Sequence, residues 1–437
     1  GCGFEAILLP RTLPTPVLAF AIRHLGADAG VMVTASHNPA QDNGYKVYLG
    51  DGSQIVPPAD AEISAEIAAV RSVAALPLSD AWETADEDVV TAYVAAVTKV
   101  VDASAPRALV IASTSLHGVG DETWKSALDA SGFAPPHVVI EQAEPDPDFP
   151  TVVFPNPEEP GATDLLLALA EKVSADIAIA HDPDADRCAM AAPDRNGRWR
   201  LLRGDEVGAL LGWWTLERAK RFNAPMPQGS FANSIVSSTL LEKMARKNNV
   251  PFHVTLTGFK WIAKIDDLRF GYEEALGYCV DPDSVRDKDG ISAGVRLAEM
   301  AAALKASGMT INDVLAKLAA EYGLHRTDQL SVRMSDLAQI PAAVARLRAH
   351  PPTEVAGMNV HEVIDLKTGW NGLPPTDGIM LWLDGGRVIA RPSGTEPKLK
   401  CYLECVIPDA TDINAAEKSA DAIIARMKAD MALALGV

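Results

Sequence analysis

The chain has 437 residues, 48% of them hydrophobic and 22% charged, with a formal net charge of −19 at pH 7. Such a composition builds globular domains with large cores and excludes a mostly disordered chain, and the acidic balance argues against nucleic acid or an anionic membrane as partner, since both are gripped by basic faces. It leaves phosphorylated small molecules open, because exposed charges are screened beyond about 10 Å at ordinary salt and a basic loop in a cleft acts locally. Five cysteines, Cys2, Cys188, Cys279, Cys401 and Cys405, form an odd set without a Cys-x-x-Cys pair, as expected of reduced thiols in a cytoplasmic protein. No stretch reaches the roughly 20 apolar residues of a spanning helix.

In chain order, an apolar run at 30–34 predicts a strand that empties into Thr34-Ala-Ser-His-Asn-Pro39. Ser36 is a nucleophile only if a neighbour such as His37 takes its proton or its acceptor is strongly polarised; a plain polar turn is the alternative. Lys46, in Asn43-Gly-Tyr-Lys46, is a cation that neutralises phosphate or exchanges a proton with a hydroxyl, or else a solvated lysine. A helix over 86–101 ends at Ala103-Ser-Ala-Pro106, where a second unit begins with a strand at 108–112 and a Gly-containing loop holding His117, which alone reads as structural.

A strand at 175–180 then opens into Asp182-Pro-Asp-Ala-Asp-Arg187. Carboxylates about 4 Å apart repel by about 1 kcal/mol per pair in water and about 4 at an effective dielectric of 20, so three converging carboxylates call for a cation. Oxygen-only donors from Asp182, Asp184 and Asp186 suit Mg²⁺. An EF-hand fails here, because its sixth position is Arg187 where Gly is needed and its twelfth is Pro193 where Glu is needed. A Mg²⁺ phosphatase of the haloacid-dehalogenase type also places Asp-x-Asp after a strand, but makes an aspartate the nucleophile and leaves Ser36 idle.

Beyond a helix at 205–221 and the Pro-rich linker 223–229, a third unit starts at Ser230. It carries Lys260 in Thr257-Gly-Phe-Lys260, and the adjacent carboxylates Glu273 and Glu274 in Gly271-Tyr-Glu-Glu-Ala-Leu-Gly277, natural partners for sugar hydroxyls unless they form a solvated acidic turn. A helix at 311–322 stops at Gly323, suited to the left-handed conformation past a helix end. The last unit has strands near 329–334, 379–383, 387–391 and 398–406, an antiparallel pattern. Between two of them lies Arg391-Pro-Ser-Gly-Thr395, with Lys398 and Lys400 following: a planar fork, hydroxyls from Ser393 and Thr395, and backbone freed by Gly394 for a phosphate. The recurring strand, polar loop and helix predict α/β domains with mixed, largely parallel sheets and ligands at the carboxyl ends of the strands. The expected divisions are 1–102, 103–224, 225–324 and 325–437.

Serine loop, aspartate loop, Glu-Glu loop and phosphate loop, in this order, resemble the α-D-phosphohexomutase family of phosphoglucomutases and phosphomannomutases from about Thr12 to the C-terminus. Gly-Tyr-Glu-Glu-Ala and Thr-Gly-Phe-Lys are closer to its phosphoglucomutase and phosphopentomutase branch. The resemblance implies three three-layer α/β/α domains and a C-terminal α+β domain around a central cleft. It implies that a phosphosugar mutase interconverts sugar 1-phosphate and 6-phosphate, glucose foremost, with mannose or a pentose as alternatives and a sugar bisphosphate as intermediate and activator. On that basis Ser36 is the phosphorylated residue and, with Asp182, Asp184 and Asp186, the Mg²⁺ ligand. His37, Lys46 and Arg187 serve the chemistry; Lys260, Glu273, Glu274, Arg391, Ser393, Gly394, Thr395 and Lys398 bind substrate. A monomer or homodimer is expected. The family begins ahead of Gly1, so the first domain is expected to be incomplete at its N-terminus, which keeps a phosphosugar-binding protein without turnover among the alternatives. Ala275 stands where many members have Ser, which weakens the transfer of hexose specificity.

Overall fold

The computed structural model describes residues 3–223, 226, 228–334, 338–393 and 398–437. They form two compact units, 1–232 with 258–311, and 233–257 with 312–437. Among the described residues no helix is long and apolar enough to cross a membrane.

In the first unit a five-stranded sheet runs in the order His137–Val138, Ile111–Thr114, Ile177–His181, Cys188–Pro193, Trp199–Leu201. The first three strands are parallel and the last two antiparallel to their neighbours. Ile111–Thr114 and Ile177–His181 are buried at every residue, as strands covered on both faces must be. The strand expected at 108–112 starts three residues later. At Val110 the backbone N–H donates to Asp176 Oδ2 at 2.7 Å and the carbonyl accepts from Asp176 N at 2.8 Å, so this residue is tied to the Asp176 turn.

Ala29–Val33 pairs antiparallel with Tyr45–Leu49, and the serine loop is the connection between them. The helix Thr15–Leu25 precedes this hairpin, burying Val17, Ala19, Ala21 and Ile22 and ending at Gly26 with φ +66°. A helix not anticipated from the sequence, Gly290–Ala306, is buried along its whole length through Leu304, with Asp289 capping its N-terminus by accepting from Ser292 N. Even its charged residues Arg296 and Glu299 are buried, so no polar face marks a 3.6-residue period.

The second unit holds a six-stranded, wholly antiparallel sheet ordered Leu324–Arg333, Lys398–Ile407, Gly386–Pro392, Ile379–Leu383, Met358–Asp365, Glu354–Val355. Alternate residues, among them Leu381, Val388, Leu399, Cys401 and Leu403, form one core with Val344 and Leu347 of helix Gln339–Ala349 and Ile424, Met427 and Met431 of helix Ile413–Leu435. That is the α+β arrangement expected of the last domain. Gly323 has φ +89° and ends helix Ile311–Tyr322. The following strand begins at Leu324, earlier than the expected 329 because its polar residues Arg326, Thr327 and Asp328 still pair with Lys398–Ile407.

Candidate active site

The serine loop is held in a tight turn. Ser36 has φ +53°, a left-handed conformation costing a non-glycine residue about 1–2 kcal/mol, and its N–H donates to Thr34 Oγ1 at 2.8 Å. Its hydroxyl lies 3.2 Å from His37 Nδ1 and donates to Asp182 Oδ2 at 3.1 Å. A contact between residues 146 positions apart thus joins two of the sequence motifs.

Asp182, Asp184 and Asp186 leave the carboxyl end of strand Ile177–His181, all three buried, with one ligand atom from each within 4.8 Å of the others. Two glycines admit this loop. A Cβ on Gly118 would stand 2.2 Å from Pro183 Cα, and one on Gly290 would stand 2.3 Å from the Arg187 carbonyl oxygen. The adjoining amides complete the packing: Val119 N–H donates to Pro183 O at 2.8 Å and Gly290 N–H to Ala185 O at 3.2 Å. Gly118→Ala is therefore expected to destabilise the first unit by about 1–3 kcal/mol through overpacking against backbone that cannot yield. Urea unfolding checks this, and an unchanged midpoint would mean that the loop shifts freely.

Three cations face the three carboxylates. Lys46 Nζ lies 2.6 Å from Asp184 Oδ2 and also pairs with Asp186 Oδ2. Lys288 Nζ is 3.2 Å from Asp186 Oδ2 and 3.7 Å from Asp287 Oδ1. Arg187 Nε stands 3.8 Å from both Asp182 Oδ2 and Asp186 Oδ1, and its backbone N–H donates to Asp182 Oδ1 at 3.0 Å. Burial pushes the Asp182 carboxyl well up, and the charges of Asp184 and Asp186 add to this. Burial pushes Asp186 the same way, but Lys288, Lys46 and Arg187 outweigh it and hold that carboxyl below the ordinary range. Lys46 is opposed by its own burial and nonetheless raised, by Asp184, Asp186 and Asp182.

Asp184 Oδ1 and Asp186 Oδ1 are buried and accept no hydrogen bond among the described residues. Unsatisfied, acceptor-only and clustered, they form with Asp182 a donor set that fits a hard divalent cation such as Mg²⁺.

The Glu-Glu loop comes to the same place. Strand Leu268–Glu273 pairs antiparallel with Gly277–Cys279, Gly277 forms an isolated bridge with Arg187, and Cys188 N–H donates to Leu276 O at 3.1 Å. A Cβ on Gly277 would sit 2.3 Å from Lys288 Cδ and 2.9 Å from Glu273 Cγ, so its absence lets both side chains pass. Burial raises the Glu273 carboxyl against the pull of Lys288 and Arg187. Glu274 is half-buried beside it, and its carbonyl oxygen lies where a Cβ on Gly204 would be, 1.7 Å away.

Lys260 is engaged elsewhere, on the short helix Phe259–Ile262 with Nζ 3.5 Å from Asp60 Oδ2. His117 Nε2 lies 2.7 Å from Thr151 Oγ1. In the second unit Arg391 pairs with Lys400 across the two strands, and Ser393 N–H donates to Lys398 O at 2.8 Å. Gly394 and Thr395 lie outside the described residues.

Two residues of this cluster carried no signal in the sequence. Lys288 sits in a common Asp-Lys-Asp string far from the aspartate loop, and Thr15 opens an unremarked helix although its hydroxyl reaches Asp184. A cleft of about 740 Å³ beside the cluster is lined by Thr34, Ser36, Asn38, His117 and Asp184 together with apolar residues such as Leu13.

Four family descriptions tile the chain: phosphoglucomutase/phosphomannomutase alpha/beta/alpha domain I over residues 1–74, domain II over 91–197, domain III over 203–322 and the C-terminal domain over 330–422. A Haemophilus influenzae protein named "Probable phosphomannomutase" is 47% identical over 94% of this chain and 84% of its own length. Human phosphopentomutase is 35% identical over 98% and 76%, and human glucose 1,6-bisphosphate synthase 36% over 93% and 71%. The fold is shared with a Paramecium phosphoglucomutase in open form, at TM-score 0.71 and 17% identity over 99% of this chain and 84% of that one. A phosphoglucomutase/phosphomannomutase family protein of Burkholderia thailandensis shares it too, at TM-score 0.70 and 18% identity over 99% and 90%. With all four domain families present in order and the serine and aspartate loops joined in space, the chain belongs to the phosphoglucomutase/phosphomannomutase family, the α-D-phosphohexomutases, and is a sugar-phosphate mutase, an intramolecular phosphotransferase.

Proposed function

We propose that Ser36 carries the phosphoryl group of a mutase that interconverts glucose 1-phosphate and glucose 6-phosphate. The observation that carries this is the 3.1 Å hydrogen bond from Ser36 Oγ to Asp182 Oδ2, which sets a half-buried hydroxyl at the cleft against the carboxylate cluster. In the forward direction the phosphorus–oxygen bond to Ser36 breaks as a bond to the substrate's free hydroxyl forms, and that hydroxyl loses its proton. The resulting bisphosphate turns round and returns its other phosphoryl group to Ser36. His37, with Nδ1 3.2 Å from Ser36 Oγ, is the group able to take that proton and return it to the Ser36 oxygen, while Lys46, held as a cation by Asp184 and Asp186, supplies positive charge for the phosphoryl group. Arg187 steadies Asp182 and Asp186 from the loop's own end.

Asp182, Asp184, Asp186 and the Ser36 oxygen would hold Mg²⁺, which when bound supplies positive charge to the transferring phosphoryl group. Glu273 and Glu274 accept sugar hydroxyls. Arg391, Ser393, Gly394, Thr395 and Lys398 grip the phosphate that is not reacting, so that binding energy remote from the chemistry orients the substrate. The boundaries we propose fall at 102/103, 224/225 and 324/325.

A pentose phosphate is the second reading, favoured by Ala275 in the sugar loop and by the similarity to the human protein named phosphopentomutase. A panel of glucose, mannose and pentose 1-phosphates, assayed with Mg²⁺ and catalytic sugar bisphosphate, is expected to give the highest kcat/KM with glucose and a strict need for the bisphosphate. Release of inorganic phosphate without isomer formation would replace the mutase reading with a phosphatase.

A further inference from the structure

The two carboxylate oxygens of Asp184 are treated differently by their surroundings. Oδ2 accepts from Thr15 Oγ1 at 2.5 Å and from Lys46 Nζ at 2.6 Å. Oδ1, equally buried, accepts from no described residue. Thr15 is itself fully buried and is the first residue of helix Thr15–Leu25. Its backbone N–H donates to the Asp184 carbonyl at 2.9 Å, so main chain and side chain of one residue both engage the main chain and side chain of the other, 169 positions away.

We infer that Thr15 is a positioning residue for the cation cage: it fixes the rotation of the Asp184 carboxylate so that Oδ1 is the atom offered to a divalent cation. This rests on the proposed Mg²⁺ site. Lys46 reaches the same Oδ2 but shares its ammonium with Asp186 on a flexible four-carbon stem, and a point charge imposes no direction. A threonine hydroxyl does impose one, since branching at Cβ restricts χ1 and the helix fixes the backbone behind it. Groups that hydrogen-bond to a metal-ligating carboxylate are worth about 10–100-fold in metal affinity. The same bond also places negative charge beside the N-terminus of the helix, where the macrodipole favours it.

The test is Mn²⁺ binding to the chelator-treated full chain, followed by electron paramagnetic resonance with no substrate present. Thr15→Val keeps the shape and removes the hydroxyl, and is expected to weaken Mn²⁺ binding about 10–100-fold. Thr15→Ser retains the donor and is expected to stay within about threefold of the wild type, with both variants unchanged in far-ultraviolet circular dichroism. Wild-type affinity in folded Thr15→Val overturns the inference. So does a folded Thr15→Ser that binds Mn²⁺ at least about tenfold more weakly than the wild type, a comparison that also decides the matter should the valine variant not fold. Asp184→Asn separates the two claims: if the wild type binds no Mn²⁺, or binding survives that change, the cage itself is refuted and the role of Thr15 falls with it. Binding that depends on Asp184 but is indifferent to Thr15 refutes the role of Thr15 alone.

Discussion

Ser36→Ala is expected to lower kcat by at least about 10³-fold, because removing a covalent nucleophile leaves only the binding contribution of the site. The expectation is sharp because the substitution should leave the chain folded. Alanine at φ +53° carries much the same backbone strain as serine there, and the hydroxyl removed is half-buried although Asp182, which loses it as a donor, is buried, so the loss of stability should stay within about 1–3 kcal/mol. Incubation with labelled hexose bisphosphate is expected to label the wild type in an acid-stable form and to leave the variant unlabelled. The rival chemistry, in which an aspartate is the nucleophile, predicts the reverse: label persisting in Ser36→Ala as an acyl phosphate sensitive to hydroxylamine. Turnover within about tenfold of the wild type would remove Ser36 from the mechanism.

How far the sequence revealed this site depended on whether a role is written in consecutive residues. The aspartate loop was legible because alternate carboxylates after an apolar strand are costly to bring together and so announce a cation. The serine loop was legible only in combination, as a string of turn residues that acquires meaning once an aspartate loop exists for it to meet. Gly323 marked a helix end through its chemistry, and the antiparallel strands of the last domain showed themselves by alternation, since one face packs on helices.

Other features were set by packing between distant segments, which no local pattern encodes. Helix Gly290–Ala306 has no polar face to betray its period, being buried all round. Gly118 and Gly290 look like ordinary loop glycines until the aspartate loop presses against them. Lys260 was expected among the substrate-binding residues on the strength of its string, and its ammonium lies against Asp60. Lys288 and Thr15, by contrast, went unnoticed: a lone lysine and a lone threonine are the least informative of residues, and only the topology carries them to Asp186 and Asp184.

Lys288 is where that omission matters most for stability. It is 6% exposed, its ammonium lies between Asp186 and Asp287, and the missing side chain of Gly277 opens the channel for its stem. Asp287 is in turn held by Tyr48 Oη and Gln54 Nε2, both donating to its Oδ2 at 2.7 Å, so neither carboxylate can swing out to water. Lys288→Met preserves the stem and deletes the charge. Leaving two carboxylates with one cation fewer is expected to destabilise the first unit by about 3–5 kcal/mol, the usual cost of breaking a buried pair from one side, whereas a solvated lysine would cost less than about 1 kcal/mol. The loss should depend on pH with a definite sign. The carboxyl of Asp186 is held below its ordinary value in the wild type, so its contribution is fully present above the unfolded value near 4 and fades as pH falls through the lower folded value. Without Lys288 part of that contribution is gone, and protonating Asp186 relieves the unpaired charge; the gap between variant and wild type should therefore be widest at neutral pH and narrow on acidification. Millimolar Mg²⁺ should narrow it as well, by supplying to the aspartate cluster the positive charge that the variant lacks. Urea titrations at neutral and acidic pH, with and without Mg²⁺, measure all three effects, and a gap of the same size under every condition would show that Lys288 contributes packing and not charge.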